Sequence, residues 1–506
     1  FDNQNVVQAL GGGTIELSGN AGGEFGGSGT YIAQDGSEVV LITNAIARNT
    51  TFDSAGTGLV RTGTSQNIEF HDVTNQGTLQ ISNNSDLRMH GTITNAGTIA
   101  VASTGNNARF ELGSSILLTG GGTVDLSGPA ASVTAIGDFA LINSTNTLQG
   151  EGTIGGNTAR VVNQATIDAN VDGATLRLDP RTGGAGVVTF DNEAIAQASG
   201  GGTLELSGNA GGEFGGSGIY RAMAGSQVAL ANGAIARNTT FDTVGDGLVR
   251  IPDNQNIEFH DVINAGALEV GNNTDLRVHG SLTNNGTITL ASTGGNSDFE
   301  LGADVTLAGI GALNFSGPAA RIDTISPAFT LTNDDGHAIT GAGQINANII
   351  NFGTITGTSA TEFFEINNTL SGSGDIANVR IDGRHEPGTS VAAIDAAGLY
   401  QLSSTAVLEI EIGGTTPSIE HDQIVATGDV MLDGTLALKS FDVFQPATTD
   451  TFTVLTSVNA LSGSFDNATA TMQAPNFTIA YDVIHATNTV TLEEASRSVF
   501  AGDYNG

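Results

Sequence analysis

The chain has 506 residues, of which 71 are glycine, 9 are proline and none is cysteine or tryptophan. Its 52 acidic and 16 basic side chains give a formal net charge of −36, which excludes nucleic acid as an expected partner because such a surface repels phosphates. Without cysteine there are no disulfide bridges, and no apolar segment is long enough for a transmembrane helix, so a continuous core of short strands must provide the stability.

The chain contains a long internal duplication. The segment Gly11–Gly29 returns as Gly200–Gly218 with one substitution, an offset of 189 residues. Over about 130 positions the two copies align without a gap and are roughly three-fifths identical. We therefore predict two equivalent β-helix modules, at residues 1–189 and 190–385.

A finer repeat of about twenty residues runs within each copy. Its motif, Asn-x-Gly-Thr followed by a hydrophobic residue, begins at Asn75, Asn95, Asn284 and Asn351, and at Asn264 with alanine in place of threonine. About twenty residues is one coil of a parallel β-helix, in which turns join three short strands. We interpret the Asn and Gly as turn residues with positive φ, and the following Thr and hydrophobic residue as the start of a strand.

Glycine-rich segments are interpreted as corners between strands. A motif in which one residue separates two glycines, with a hydrophobic residue at each end, occurs at Leu118–Val124, Leu148–Ile154, Leu307–Leu313, Ile339–Ile345 and Leu370–Ile376. The segment Gly22–Gly27 lacks the lysine and the helix that follow a phosphate-binding loop. A tight turn or bulge is favoured there over a cradle for an anion.

Alternation of apolar and polar residues predicts which side chains form the core. In Asn67–His71 it places Ile68 and Phe70 inside and Glu69 and His71 outside. The same pattern predicts further inward side chains at Leu79, Ile81, Leu87, Met89, Ile99 and Val101. The predicted fold class is all-β, a right-handed parallel β-helix with three strands and about twenty residues per coil.

Near His385–Gly388 the pattern changes to longer alternating strands, such as Ala406–Ile412. We predict a separate β-rich domain at residues 386–495, either sandwich-like or a cap on the solenoid. Residues 496–506 then form a tail.

The coils, with their Asn-x-Gly-Thr-Ile and Gly-x-Gly-x-Ile turns, resemble the β-helix passengers of autotransporters and the related haemagglutinin-like surface proteins. Leu408–Thr415 and Asp422–Gly428 are similar to the region that closes large exported bacterial β-repeat proteins before a membrane barrel, a dockerin-type repeat or a sorting signal. Gly502–Gly506 resembles the opening of a dockerin or EF-hand loop, which makes Asp503 and Asn505 candidate calcium ligands. The resemblance implies secretion in bacteria to an extracellular or cell-surface location, and it supplies no catalytic residues.

One group of outward residues has the chemistry of a metal site. Glu69 and His71 lie two apart on a predicted strand, and Arg88 and His90 follow one coil later. The second copy repeats the group as Glu258, His260, Arg277 and His279. Carboxylate and imidazole on one strand face can coordinate a cation. The alternative, which we favour, is an outward ladder of polar side chains with charge pairs between coils.

For function, the sequence favours a non-catalytic structural protein, a subunit of a surface or matrix fibre that assembles head to tail, because open solenoid ends must be capped or paired. The first alternative is an adhesin that binds a surface polysaccharide, a host cell or a neighbouring cell. The second is a polysaccharide lyase or glycoside hydrolase. The single lysine, Lys439, lies outside the predicted solenoid, which disfavours a lyase, whereas paired carboxylates on facing coils are not visible in a sequence. We expect neither enzyme activity nor a membrane span.

Overall fold

The computed structural model describes residues 1–20, 22–184, 186–209 and 211–499. Its described secondary structure consists of β-strands, turns and bends, and none of these residues forms a helix that could cross a bilayer. The chain divides into two compact units, Phe1–Leu268 and Glu269–Gly506, which we describe separately. This boundary falls inside the second sequence copy, so the module limits at 189 and 385 remain predictions from sequence similarity.

The first unit contains thirty-two complete strands and the start of β33. These are β1 (Val6–Ala9), β2 (Thr14–Ser18), β3 (Glu24–Gly26), β4 (Thr30–Ala33), β5 (Glu38–Ile42), β6 (Ile46–Arg48), β7 (Thr51–Ser54), β8 (Leu59–Thr62), β9 (Asn67–His71), β10 (Thr74–Asn75), β11 (Thr78–Ile81), β12 (Ser85–Asn95), β13 (Thr98–Ala102), β14 (Ala108–Thr119), β15 (Thr123–Ser127), β16 (Ala131–Ala135), β17 (Ala140–Asn143), β18 (Thr147–Gly150), β19 (Gly152–Ile154), β20 (Arg160–Asn163), β21 (Thr166–Ala169), β22 (Thr175–Leu178), β23 (Phe190–Asn192), β24 (Ile195–Ala198), β25 (Thr203–Ser207), β26 (Glu213–Gly215), β27 (Ile219–Ala222), β28 (Gln227–Ala231), β29 (Ile235–Arg237), β30 (Thr240–Thr243), β31 (Leu248–Ile251), β32 (Asn256–Asn264) and β33 (Ala267–Val270).

The strands that follow belong to the second unit. These are β34 (Thr274–Asn284), β35 (Thr287–Ala291), β36 (Ser297–Ala308), β37 (Ala312–Ser316), β38 (Ala320–Thr324), β39 (Thr330–Asn333), β40 (Ala338–Gly341), β41 (Gly343–Ile345), β42 (Asn348–Asn351), β43 (Thr354–Gly357), β44 (Phe364–Ile366), β45 (Thr369–Gly372), β46 (Asp375–Ile381), β47 (Arg384–Pro387), β48 (Ala393–Leu402), β49 (Val407–Ile412), β50 (Gln423–Ala426), β51 (Asp429–Leu432), β52 (Thr435–Ser440), β53 (Thr451–Ser457), β54 (Ser462–Gly463), β55 (Thr469–Ala474), β56 (Phe477–His485) and β57 (Thr489–Val499).

Parallel pairing between every third strand winds the first unit into coils. β1 pairs with β4, β2 with β5 and β3 with β6, so each coil contributes one strand to each of three faces. The long strands β12 and β14 run from one face to the next, with a register shift between Met89 and Gly91. The structure thus confirms the predicted parallel β-helix, whose parallel crossovers are right-handed in nearly all proteins.

The offset between the two sequence copies is not a whole number of coils. β24 is the sequence equivalent of β1, yet eight successive parallel pairings lead from β24 back to β2, the next strand of the first coil. The 189-residue offset therefore spans eight coils and one strand, so a coil averages about 23 residues. Within the first unit, equivalent side chains of the two copies therefore lie on different faces, about 40 Å apart along the axis at about 4.8 Å per coil.

The core is filled by the alternating side chains predicted from the sequence. Every inward residue predicted between positions 68 and 101 is at most 1% exposed: Ile68, Phe70, Leu79, Ile81, Leu87, Met89, Ile99 and Val101. Aromatic rings also stack between coils, with ring centroids 5.5 Å apart for Tyr31 and Phe52 and 5.1 Å apart for Phe52 and Phe70. The second copy repeats this stack with Tyr220, Phe241 and Phe259.

The asparagines of the twenty-residue motif correct one prediction. They lie in strands without positive φ and point inward as a buried amide ladder. Asn75 Nδ2 donates to Asn95 Oδ1 at 2.8 Å, and further along Asn143 Nδ2 donates to Asn163 Oδ1 at 2.9 Å. Asn163 Nδ2 in turn donates to Asn192 Oδ1 at 2.8 Å. A buried amide needs hydrogen-bond partners, and the equivalent amide one coil away provides one.

The glycines have two separate roles. Gly150 and Gly152, at φ 108° and 123°, form the predicted corner between β18 and β19. Gly97, in the asparagine motif, is instead required by close packing, because a Cβ there would lie 2.1 Å from the carbonyl oxygen of Gly77. In the segment Gly22–Gly27, for which a tight turn or bulge was predicted, Glu24–Gly26 forms strand β3, and the Gly22 N–H donates to the Gly19 carbonyl at 2.9 Å.

In the second unit, parallel coils continue past residue 386 and then give way to antiparallel pairing. β47 pairs with β49, β49 with β52 and β50 with β53, all in parallel. β57 then pairs antiparallel with both β53 and β56, and β56 with β55. The antiparallel sheet thus follows coils that extend through β53, and the predicted domain limits at 386 and 495 remain predictions from the sequence.

Because a buried histidine lies in the amide ladder of the second unit, we expect this unit to lose stability in acid. His337 is 1% exposed, its Nδ1 lies 2.8 Å from Asn333 Oδ1, and Asn284 Nδ2 donates to its Nε2 at 3.0 Å. Burial lowers the pKa of His337 to about 4. The unfolded chain binds this proton already near the ordinary pKa of 6.5, so stability is present above that pH and is lost as the pH falls towards 4, by about 3 kcal/mol.

We expect His337→Gln, which cannot titrate, to remove this part of the pH dependence. Hydrogen exchange of the second unit at pH 7 and pH 4 measures it, with the first unit as an internal reference because Asn146 accepts the equivalent bond from Asn95 there. An equal loss of stability in the wild type and the variant would show that His337 does not control the response.

Candidate functional site

An outward cluster of Glu69, His71 and His90 lies on one face of the first unit. Glu69 and His71 are two apart on β9, so both leave the same side of the strand. The register with β12 places His90 opposite His71 and Arg88 opposite Glu69, as the sequence predicted. The two imidazole rings are parallel to within 1°, with centroids 4.1 Å apart. His71 Nε2 lies 3.4 Å from Glu69 Oε2, and one ligand atom from each of the three residues lies within 4.8 Å of the others.

Charged side chains lie next to this cluster on one side. Arg88 Nη1 lies 3.3 Å from Glu69 Oε1, and Arg88 Nη2 lies 2.8 Å from Glu111 Oε2. The ladder of charge pairs expected from the sequence is therefore present, and it leaves Glu69 Oε2 facing the imidazoles. Burial, together with the neighbouring His71, lowers the pKa of His90 and favours its neutral ring. His90 Nε2 is buried without a hydrogen-bond partner.

The predicted pair Glu258 and His260 lies on β32 of the first unit. Glu258 Oε2 is 3.3 Å from His260 Nε2, which reproduces the Glu69–His71 contact. Because the duplication advances by eight coils and one strand, the pair lies on a different face from Glu69 and His71. Arg277 and His279 lie on β34 of the second unit.

Asp503 and Asn505 lie outside the described residues, so the candidate calcium ligands of the tail remain predictions.

A groove of about 540 Å³ interrupts the regular surface of the second unit. One wall is the corner at Gly317–Pro318 and the other is a short hairpin between β43 and β44. In this hairpin the Ser359 N–H donates to the Glu362 carbonyl at 2.9 Å, and the Glu362 N–H donates back at 3.2 Å. The Gly343 N–H bonds to the Phe363 carbonyl at 3.4 Å, which joins the hairpin to β41. The groove is therefore shaped by backbone hydrogen bonds.

The lining of this groove combines apolar and polar groups. Phe363 is half-buried and Pro318 is exposed, so both offer apolar surface. Glu362 is exposed on the hairpin, and Gln344 Nε2 donates to Glu365 Oε2 at 3.2 Å. Below them Phe315 and Phe364 pack edge to face, with ring centroids 4.9 Å apart. The groove thus combines aromatic side chains with a rim of carboxylates and an amide.

A smaller cavity of about 130 Å³ contains the only lysine of the chain. Lys439, which the sequence placed outside the solenoid, lies on β52 in parallel register with β49. Its Nζ is 2.7 Å from Glu411 Oε1. Asp422 accepts the N–H groups of Ala392 at 2.8 Å and Glu411 at 2.7 Å, and burial raises its pKa to about 7. The cavity is small for a ligand site, and its buried carboxylate is occupied by the backbone, so the arrangement stabilises the loop around Asp422.

Comparison with known proteins found a distant likeness in structure alone. No family model and no curated protein matches the chain. Among solved structures it is similar to the crystal structure of the Haemophilus influenzae Hap adhesin, with 12% identity and a TM-score of 0.29 over 92% of this chain. The match covers 64% of that protein, so this chain spans less than two thirds of its length.

The sequence identified the Glu and His cluster but missed the groove. Phe363 and Phe364 are adjacent, which breaks the strict alternation of a strand. That break is the signal that could have marked the hairpin, because a regular coil places only one of two neighbouring side chains in the core.

Proposed function

We propose that this protein is a non-catalytic bacterial surface adhesin and that the groove around Phe363 binds an extracellular glycan. The observation that supports the proposal is the combination of Phe363, Pro318 and the rim groups Gln344, Glu362 and Glu365 in one groove of about 540 Å³. Ligand sites of this kind are concave and pair an apolar surface with a few polar groups that fix orientation.

The chemistry of the groove matches a sugar. The C–H face of a sugar ring packs on an aromatic ring, while its hydroxyls bond to carboxylates and amides. Glu365 is already held by Gln344 and by Arg380, whose Nη1 lies 3.5 Å from Glu365 Oε1. A held carboxylate loses little conformational entropy when it accepts hydrogen bonds from a ligand.

Charge selects the class of glycan. The groove carries Glu362 and Glu365, and the whole chain has a net charge of −36, so an anionic polysaccharide is repelled. We therefore propose a neutral, hydroxyl-rich glycan. Export to the cell surface is part of the same proposal and is supported by the resemblance of the coil motifs to secreted β-helix proteins.

The proposal is tested with the full chain on an array of neutral, amino-substituted and acidic glycans. We expect binding to neutral glycans, and at least a tenfold loss of affinity for Phe363→Ala. Phe139→Ala is the matched control, because Phe139 is a half-buried phenylalanine of the first unit, outside the groove, and its removal should leave binding unchanged.

Equal losses in both variants, or binding confined to acidic glycans, would contradict the proposed site. Release of cleaved glycan at enzymatic rates would contradict the non-catalytic role. The head-to-tail fibre favoured by the sequence remains a separate prediction, and electron microscopy at several calcium concentrations tests it.

A further inference from the structure

We propose that Glu69, His71 and His90 form a three-ligand site for a divalent transition-metal ion of the zinc class. This site is independent of the glycan groove, since it lies in the first unit. Its ligand set, two imidazoles and one carboxylate, suits zinc, copper and nickel, whereas calcium and magnesium prefer oxygen ligands alone.

The spacing of two ligands already fits a tetrahedral ion. Two ligand atoms bound at about 2.1 Å with a tetrahedral angle lie about 3.4 Å apart. His71 Nε2 and Glu69 Oε2 are 3.4 Å apart. The third ligand atom, from His90, lies within 4.8 Å of both, so a modest rotation of its side chain brings it to bonding distance.

His90 Nε2 loses no hydrogen bond when His90 binds a metal. Its Nε2 is buried without a hydrogen-bond partner, an arrangement that costs free energy in the absence of a ligand. The neighbouring coil has Gly113 beneath the ring, where a Cβ would lie 2.3 Å from His90 Cε1. Because Gly113 has no side chain, the His90 ring fits beside it, and the row of outward side chains has a gap at this position.

The charges facing the cluster permit a cation. Arg88 binds Glu69 and Glu111, and Arg48, which is in register with His71, lies 3.3 Å from Glu24. Two arginines are thus offset by three glutamates. Because Arg88 contacts Glu69 Oε1, the second oxygen of Glu69 stays directed at the imidazoles. Three protein ligands leave the fourth position of the ion open to water.

Zinc binding to the full chain at pH 7.5 and physiological salt tests the site, by equilibrium dialysis. We expect the double variant His71→Ala/His90→Ala to bind one zinc ion fewer per chain than the wild type. Thr92→Ala, an outward change on the same strand β12, should keep the wild-type stoichiometry. An unchanged stoichiometry in the double variant would overturn the proposal.

A second measurement on the wild-type chain makes the result independent of how well the variant folds. Zinc should slow the modification of His71 and His90 by diethyl pyrocarbonate at least fivefold, as read by peptide mass spectrometry, and an excess of calcium should not. Modification of the two histidines at the same rate with and without zinc would also overturn the proposal.

Discussion

Phe52→Ala should destabilise the first unit by about 3–5 kcal/mol, the usual cost of removing a fully buried aromatic ring and leaving a cavity. Phe52 is 0% exposed and lies between Tyr31 and Phe70, with ring centroids 5.5 and 5.1 Å away. Stacked coils contact only their neighbours, so the loss should be concentrated in the coils around residue 52. Hydrogen exchange resolved by peptide measures both the size of the effect and its range.

Tyr31→Phe is the matched control for this experiment. The Tyr31 hydroxyl is buried without a hydrogen-bond partner, so its removal keeps the stack and deletes an unsatisfied polar group. We expect this variant to be at least as stable as the wild type. A large loss for Tyr31→Phe, or a loss below 1 kcal/mol for Phe52→Ala, would contradict the account of the core.

Asn163→Asp should cost about 3–5 kcal/mol at neutral pH, because it places an unpaired negative charge inside the amide ladder. Asn163 Nδ2 donates to Asn192 Oδ1 at 2.8 Å and to the carbonyl oxygens of Ala165 and Ile195, both at 3.1 Å. A carboxylate oxygen at that position would face three acceptors. The penalty should fall as the pH is lowered to 4, since a protonated carboxyl can donate one bond again.

Gln164→Glu makes the same chemical change at the next residue of the chain. Gln164 is exposed and donates to Glu193, so Gln164→Glu replaces this bond with two carboxylates that water screens, and we expect a loss of at most about 1 kcal/mol. Hydrogen exchange of β17, β20 and β23 at pH 7 and pH 4 compares the two variants. Similar losses for both would show that the ladder contributes little to stability.

Much of the fold could be predicted from the sequence because it depends on local periodicity. The alternation around Ile68 and Phe70 identifies the core, and the twenty-residue motif identifies the coil. The role of Asn75 and Asn95 could not be predicted, because an asparagine before a glycine is equally consistent with a turn. Only the stacking of coils brings these two amides within 2.8 Å of each other.

Of the two candidate sites, one could be predicted from the sequence and the other could not. Glu69 and His71 are two residues apart on one strand, so their proximity follows from strand geometry. Predicting that His90 lies next to His71 also requires the length of one coil, which the sequence repeat gives. The groove joins Pro318, Gln344 and Phe363, and their contact depends on a hairpin that departs from the repeat. Periodicity contains no information about such a departure.

Hydrogen exchange of the full chain with and without the glycan that binds best on the array tests the proposed function most directly. We expect the glycan to slow exchange in residues 357–365 and in the corner at Gly317–Pro318, and we expect this protection to disappear in Phe363→Ala. Protection confined to other parts of the chain, or protection that survives in this variant, would contradict it.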